Sequence, residues 1–164
     1  MVIENGAEMA VGISLRHGRT IPGKAGAASF DAMTETVITW RGAFEDAELN
    51  ALHAEAFEHE LYADPWNALV HRHSLGWVVA GDESGLAGFV NVPWDGAFHA
   101  WIQDVMVAKR RRRSGVGREL VASAVVNARA AGCEWLHVDF DAELGDFYFN
   151  ACGFMSTAAG LIRL

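Results

Sequence analysis

Two apolar rhythms alternate along the chain. From Thr34 to Trp40 (TETVITW) β-branched residues alternate with polar ones, the period of a strand. Leu49, Leu52, His53, Ala56 and Phe57 then recur at helical spacing, behind Glu45, Asp46 and Glu48, where a helix N-terminus favours acids. Asp64-Pro65 opens a second, short helix carrying Leu69 and Val70, with Asp as cap and Pro at the first position. Leu75 to Ala80 and Leu86 to Val92 read as strands around the turn Gly81-Asp82-Glu83-Ser84-Gly85, and Pro93-Trp94-Asp95-Gly96 ends the second of them. Ala97 to Ala108 is a fourth strand with a slipped phase. Phe98, Ala100 and Ile102 share one parity, Val105 and Val107 the other, with Trp101 on the second parity; a bulge near Gln103-Asp104 accounts for the slip.

The helical rhythm returns with Val116, Leu120, Val121, Ala124, Val125 and Ala128, and Gly132 stops it. Trp135 to Phe140 (WLHVDF) is a fifth strand, joined to the fourth by this helical crossover and so parallel to it. Glu143 to Cys152 suits a short helix broken by Gly153-Phe154, and Gly160 to Leu164 reads as a last strand. The pattern predicts an α/β (α+β) domain: a mixed sheet of six to seven strands flanked by about four helices, with strands four and five parallel.

Composition changes this picture in one place. Residues 1–33 are rich in Gly and Ala and lack periodicity, so they read as an N-terminal arm, either a flexible extension or a segment docked on a partner copy in a homodimer. Residues 34–164 are then the functional domain. A chain of 164 residues with 51% hydrophobic content is enough for one domain with its own core. Cys133 and Cys152 lack metal-type spacing and sit in apolar surroundings, as reduced thiols of a cytoplasmic protein do. His71-x-His73 has no third partner, so no metal site is expected. The sequence has no signal peptide and no apolar run of membrane-spanning length.

Charge is informative through its distribution. The net charge is -8 and the run Lys109 to Arg113 carries five cations, so the other residues sum to -13 (-8 minus 5). A basic patch on an acidic body suits a small polyphosphate better than a nucleic-acid backbone, which the body would repel. The patch lies in a telling context. The strand end Val105-Met106-Val107 leads through the basic run to Ser114-Gly115-Val116-Gly117, and a helix follows at once. The first turn of a helix has unpaired N–H groups at its positive end, and glycines let a phosphate approach the backbone. Gly117 is followed by Arg118-Glu119, which excludes a Walker A loop, and only G-x-G of the dinucleotide fingerprint is present.

What remains, Arg112-x-x-Gly115-x-Gly117, resembles the acyl-CoA loop Q/R-x-x-G-x-G/A of the GCN5-related N-acetyltransferases (GNAT). The match runs without a gap from Asp104 through the helix. Leu136 to Phe154 is similar to that family's second signature, in which a strand and a short helix lead to a tyrosine four residues before Gly-Phe. Gly153-Phe154 is present, but Phe149 stands at the tyrosine position, Tyr148 precedes it, and Ala142 replaces a frequent asparagine. The likeness covers about Thr34 to Leu164 and leaves out the arm.

The resemblance implies a GNAT-type mixed sheet with strands four and five splayed, and direct acetyl transfer from acetyl-CoA, as cosubstrate, to an amine. It implies that Val105, Met106 and Val107 present backbone to the thioester. Arg112, Arg113, Ser114, Gly115, Val116, Gly117 and Arg118 would hold the pyrophosphate, and Phe149 would pack on the CoA arm. The amine must lose a proton, and Asp104, Glu83, Asp139 and His137 are candidate bases. The implied register turns Phe149, which has no proton to give, toward the thioester. Tyr148 is the candidate acid if the helix is rotated; otherwise water or the acceptor protonates the thiolate. The alternatives are a non-catalytic acyl-CoA-binding module of the same fold and, third, a nucleic-acid-binding protein. The expected partners are acetyl-CoA and an amine acceptor, with no nucleic acid and no membrane.

Overall fold

The computed structural model describes residues 35–164; the reading of residues 1–33 as an arm falls outside them. β1 (Val37–Trp40), β2 (Ser74–Asp82), β3 (Gly85–Pro93), β4 (His99–Val107) and β5 (Trp135–Val138) form one sheet in that spatial order. The first four are antiparallel to their neighbours, and β4 and β5 are parallel. Strand alternation makes two cores. On one face Val78, Ala80, Val90, Val92, Ala100 and Ile102 pack under Val116, Leu120, Val121 and Ala124 of α3 (Val116–Ala130). On the other, Trp77, Val79, Phe89 and Met106 meet Leu49 and Leu52 of α1 (Asp46–Phe57) and Trp66 and Val70 of α2 (Trp66–His73). A fully buried side chain such as Leu120 contributes roughly 2 kcal/mol by leaving water. No helix among the described residues is long and apolar enough to cross a membrane.

The phase slip in the fourth strand is a one-residue bulge. Gly88 and Phe89 pair with Val107 and Met106, but Asn91 pairs with Gln103, so β4 carries one extra residue between the two registers. Asp104 stands there with φ +52. This left-handed conformation is costly for most side chains and tolerated best by Asp and Asn. Before the bulge the even residues Ala100 and Ile102 face α3; after it the odd residues Val105 and Val107 do. The parallel pairing with β5 ends at Ile102–Val138, directly before the bulge. From Gln103 onward β4 has lost that partner, which is the splay the resemblance implied.

The expected six to seven strands become five among the described residues. Residues 155–164 form neither helix nor strand, and Leu161, Ile162 and Leu164 are exposed. Apolar residues occupy both parities there, so no pairing could bury one face, and Ala158-Ala159-Gly160 ahead of them favours strand poorly. The expected short helix is a six-residue π-helix, α4 (Asp146–Ala151).

Among the described residues, one buried polar side chain is fully committed inside this core. Asn50, 5% exposed, donates to the carbonyls of Asp46 and Asp64 and accepts from the Asp64 amide and the Trp66 indole. It thereby ties α1 to the start of α2. Asn50→Ala strands those buried partners and should lower stability by about 3 kcal/mol in denaturant unfolding. An unchanged midpoint would show that the two helices are held by apolar contact alone.

Candidate active site

The splay opens a cleft of about 880 Å³. Its floor is the Trp101–Val105 stretch of β4. Asp139, Phe140 and Asp141 follow β5, Tyr148 comes from α4, Phe57 from the end of α1, and Leu161 from the C-terminal segment. Three carboxylates and no basic side chain line it. A second groove of about 630 Å³ shares Trp101, Asp139 and Phe140 and continues along β5 past Trp135, His137 and Phe149.

Asp104 is the best-placed acid. Its side chain is 28% exposed, and Asn91 donates a hydrogen bond to it. The Ser74 hydroxyl holds the Asn91 carbonyl oxygen at 2.6 Å, which aims the amide nitrogen at Asp104. Burial pushes the Asp104 carboxyl up from the ordinary range, more than His53 and Asn91 pull it down. His53 Nε2 lies 3.9 Å from Asp104 Oδ1. Burial between Phe57 and Trp66 lowers the His53 pKa, against the charge of Asp104. On its other side His53 Nδ1 is 2.6 Å from His59 Nε2. Glu58, with φ +56, turns the chain back at the end of α1 and brings His59 there.

The glycine loop leads directly into α3. Gly115 precedes α3 with φ +95, which only glycine adopts at no cost, and a side chain there would stand in open space. The first intrahelical bond is from the Glu119 amide to the Gly115 carbonyl, so the amides of Val116, Gly117 and Arg118 have no helical partner. Gly117 also sits where space is short. A Cβ there would lie 3.3 Å from the Phe147 ring, tighter than most such contacts, and at an ordinary 3.5 Å from Val107, so its smallness eases the approach of Phe147 to α3. The five cations are not equivalent. Arg110 and Arg111 hold the buried Asp82 at 2.8 and 2.7 Å, and Lys109 lies 3.9 Å from Glu58. Arg112 reaches the Val107 carbonyl at 3.4 Å. Arg113 and Arg118 carry no ion pair among the described residues. Ser114 donates to the Arg111 carbonyl at 2.6 Å and shapes the turn.

The π-helix resets the register of the aromatic run. Bonds from the Cys152 amide to Phe147 O, and from Phe154 to Tyr148 O, enclose wider turns than an α-helix. Tyr148 is therefore the residue that lines the cleft, 5% exposed and stacked on Phe140 at 4.5 Å. Phe149, 39% exposed, lines the second groove. Burial, with a smaller push from Cys152, takes the Tyr148 phenol up to about 12.

The structure thus brings Asp104, Val105, Tyr148 and Asp139 together. Met106 and Val116 bury their side chains in the core, which leaves only their backbone for a ligand. Glu83 stays in the β2–β3 turn, and His137 stacks on His99 and Trp101 along β5. Sequence reasoning missed His53 and His59. The signal was a histidine inside the apolar stripe of α1, at a position that faces the bulge.

Comparison with known proteins agrees with this geometry. Residues 38–154 match the family described as Acetyltransferase (GNAT) family. No curated protein matches the chain. Among solved structures, an acetyltransferase of Trypanosoma brucei is similar at 18% identity and a TM-score of 0.66, over 79% of this chain and 99% of that one. Glucosamine-6-phosphate N-acetyltransferase from Arabidopsis thaliana gives 16% and 0.62, over 78% and 98%. An aminoglycoside N-acetyltransferase in complex with CoA gives 16% and 0.62, over 82% and 97%. At these identities the structural likeness speaks for the fold.

The Tyr148 environment is directly measurable. In difference spectra between the protein and Tyr148→Phe, only about a tenth of the full phenolate band should appear at pH 11, where an ordinary phenol is about nine-tenths ionised. A full band at that pH would place the hydroxyl in bulk water.

Proposed function

The chain belongs to the GNAT acetyltransferase family, and from that premise we propose that it is an N-acetyltransferase acting by direct transfer from acetyl-CoA to an amine. The observation that carries this reading is the cleft at the β4 bulge, with Asp104 at its floor and the start of α3 on the same strand-loop-helix unit. The acceptor is read as an amine on an apolar or aromatic body. Phe57, Trp101, Phe140 and Leu144 offer apolar walls, while Asp104, Asp139 and Asp141 favour a cationic head.

The residues fit acetyl-CoA. The free amides of Val116 to Arg118, with Arg112, Arg113 and Arg118, would hold the pyrophosphate. Two of the arginines in the basic run are committed to Asp82, which supports a compact anion rather than a nucleic-acid backbone. The unpaired edge of β4 at Val105 to Val107 would orient the acyl carbonyl through backbone N–H. Acetyl-CoA, when bound, supplies an activated acetyl group on a thiol leaving group. Asp104 takes the ammonium proton of the acceptor, so that the amine becomes nucleophilic; its raised pKa brings it nearer to that task. Tyr148, kept protonated by burial, gives its proton to the departing sulfur. The site works in the cytoplasm on this reading. A non-catalytic acyl-CoA-binding module remains the second reading, because Phe149 stands where the family carries tyrosine. Thiol release from acetyl-CoA with a panel of amines decides between them: binding without amine-dependent release favours the second.

Asp104→Asn isolates the base, since Asn tolerates the same left-handed backbone. Burial raises the carboxyl pKa in the folded state. The charged form therefore lowers stability as pH rises through the window from the unfolded to the folded value. The variant should lose about a hundredfold in kcat, keep its affinity for acetyl-CoA, and melt at a higher temperature at pH 7. A kcat within twofold of the parent would remove Asp104 from the chemistry.

A further inference from the structure

The hydrogen-bond chain behind Asp104 fixes where protons sit. His59 Nδ1 lies 2.6 Å from the Glu60 carbonyl, which can only accept, so His59 carries its proton on Nδ1. In the neutral ring Nε2 of His59 is then a bare acceptor, and His53 must donate to it from Nδ1. Neutral His53 is left with a lone pair on Nε2. That lone pair faces the Asp104 carboxylate at 3.9 Å, with no proton between two acceptors. The arrangement has a vacancy for one proton, next to the acceptor cleft.

We propose that Asp104, His53 and His59 form a relay that carries the acceptor's proton from the cleft to the surface of α1. This rests on the transferase reading given above. The ammonium proton passes to the Asp104 carboxylate and on to His53 Nε2. His53 releases its Nδ1 proton to His59 Nε2, and His59 releases its Nδ1 proton to water. One proton enters and one leaves, and Asp104 returns to the charged form for the next turnover. The rings regain their first tautomers when each takes a proton from water at Nδ1 and gives its Nε2 proton back to solvent, so that no net proton is gained or lost in the reset. The 3.9 Å gap must close to hydrogen-bond distance during the reaction, a tightening that catalytic hydrogen bonds commonly undergo when substrate binds.

The groups around His53 are consistent with transient rather than permanent charge. Asp104 from β4 and Asp64 ahead of α2 favour its protonation, His59 opposes it, and burial against Phe57 and Trp66 outweighs them. His59 is itself held in place by stacking on Tyr62 at 4.7 Å, with the rings 13° apart. A histidine that only filled the core of α1 would not need a second histidine aligned behind it with its own proton assigned.

Two measurements on the full chain test this. The first needs no acceptor. Nitrogen NMR of the imidazoles at pH 8 should show both His53 and His59 as Nδ1–H tautomers, the less common form in water, and Asp104→Asn should lower the His53 pKa. An Nε2–H tautomer on His53, or an unmoved pKa, overturns the relay whatever the enzyme acetylates. The second uses acetyl-CoA and phenethylamine. His59→Gln can accept the His53 bond but cannot pass a proton. It should lose roughly tenfold in kcat with an unchanged KM for acetyl-CoA, and added imidazole should restore activity in proportion to its concentration. His59→Phe should behave alike. Full activity in His59→Gln, or a loss that imidazole does not touch, overturns the relay. If the parent protein releases no thiol with phenethylamine, the reading of that acceptor fails, and the NMR result alone decides the relay.

Discussion

One extra residue in β4 governs everything around the site. The inserted Asp104 breaks the register with β3, inverts which side chains face α3, and coincides with the end of pairing to β5. Each effect follows from the two-residue period of a strand, because a single insertion moves every later side chain to the opposite face. The energetic requirement is a left-handed φ at a residue that is not glycine, a cost of order 1–3 kcal/mol that the packed sheet on either side can absorb. A glycine would relieve that strain but would offer no carboxylate. Asp satisfies backbone and chemistry together.

The electrostatics of the site are arranged by segregation. Asp82 consumes Arg110 and Arg111 at the far edge of the basic run and so anchors the loop to the β2–β3 turn. Arg112, Arg113 and Arg118 remain on the side of the α3 N-terminus, while the only charged side chains lining the cleft at the bulge, among the described residues, are the carboxylates of Asp104, Asp139 and Asp141. Positive and negative charge are thus kept in distinct places. Burial raises the pKa of both the Tyr148 phenol and the Asp104 carboxyl, which face this cleft.

Much of this was legible in the sequence, and the reasons are local. The phase slip at Gln103-Asp104 announced the bulge, because alternation on either side of it was strong enough to show the break. Gly115 and the stripe of α3 announced the loop and its helix. The orientation of Tyr148 was not legible. An α-helical register turns Phe149 inward, and nothing in residues 146–151 signals the wider π turn that places Tyr148 there instead. The last strand failed for the opposite reason: apolar content alone was read as strand without the alternation that makes one. His53 was visible only as part of an apolar stripe, since its partners come from β4 and from beyond the end of α1.

On the proposed function, the stretch of β4 left without β5 and the first turn of α3 together receive the acyl-CoA. Amide chemical shifts of the isotopically labelled protein, followed during titration with acetyl-CoA, test it residue by residue. Large shifts should be confined to Gln103–Val107 and Gly115–Arg118, with His99–Ile102 little changed, because that stretch is already paired with β5. Saturable binding that leaves Gln103–Val107 and Gly115–Arg118 unmoved, or no binding at all, would contradict it.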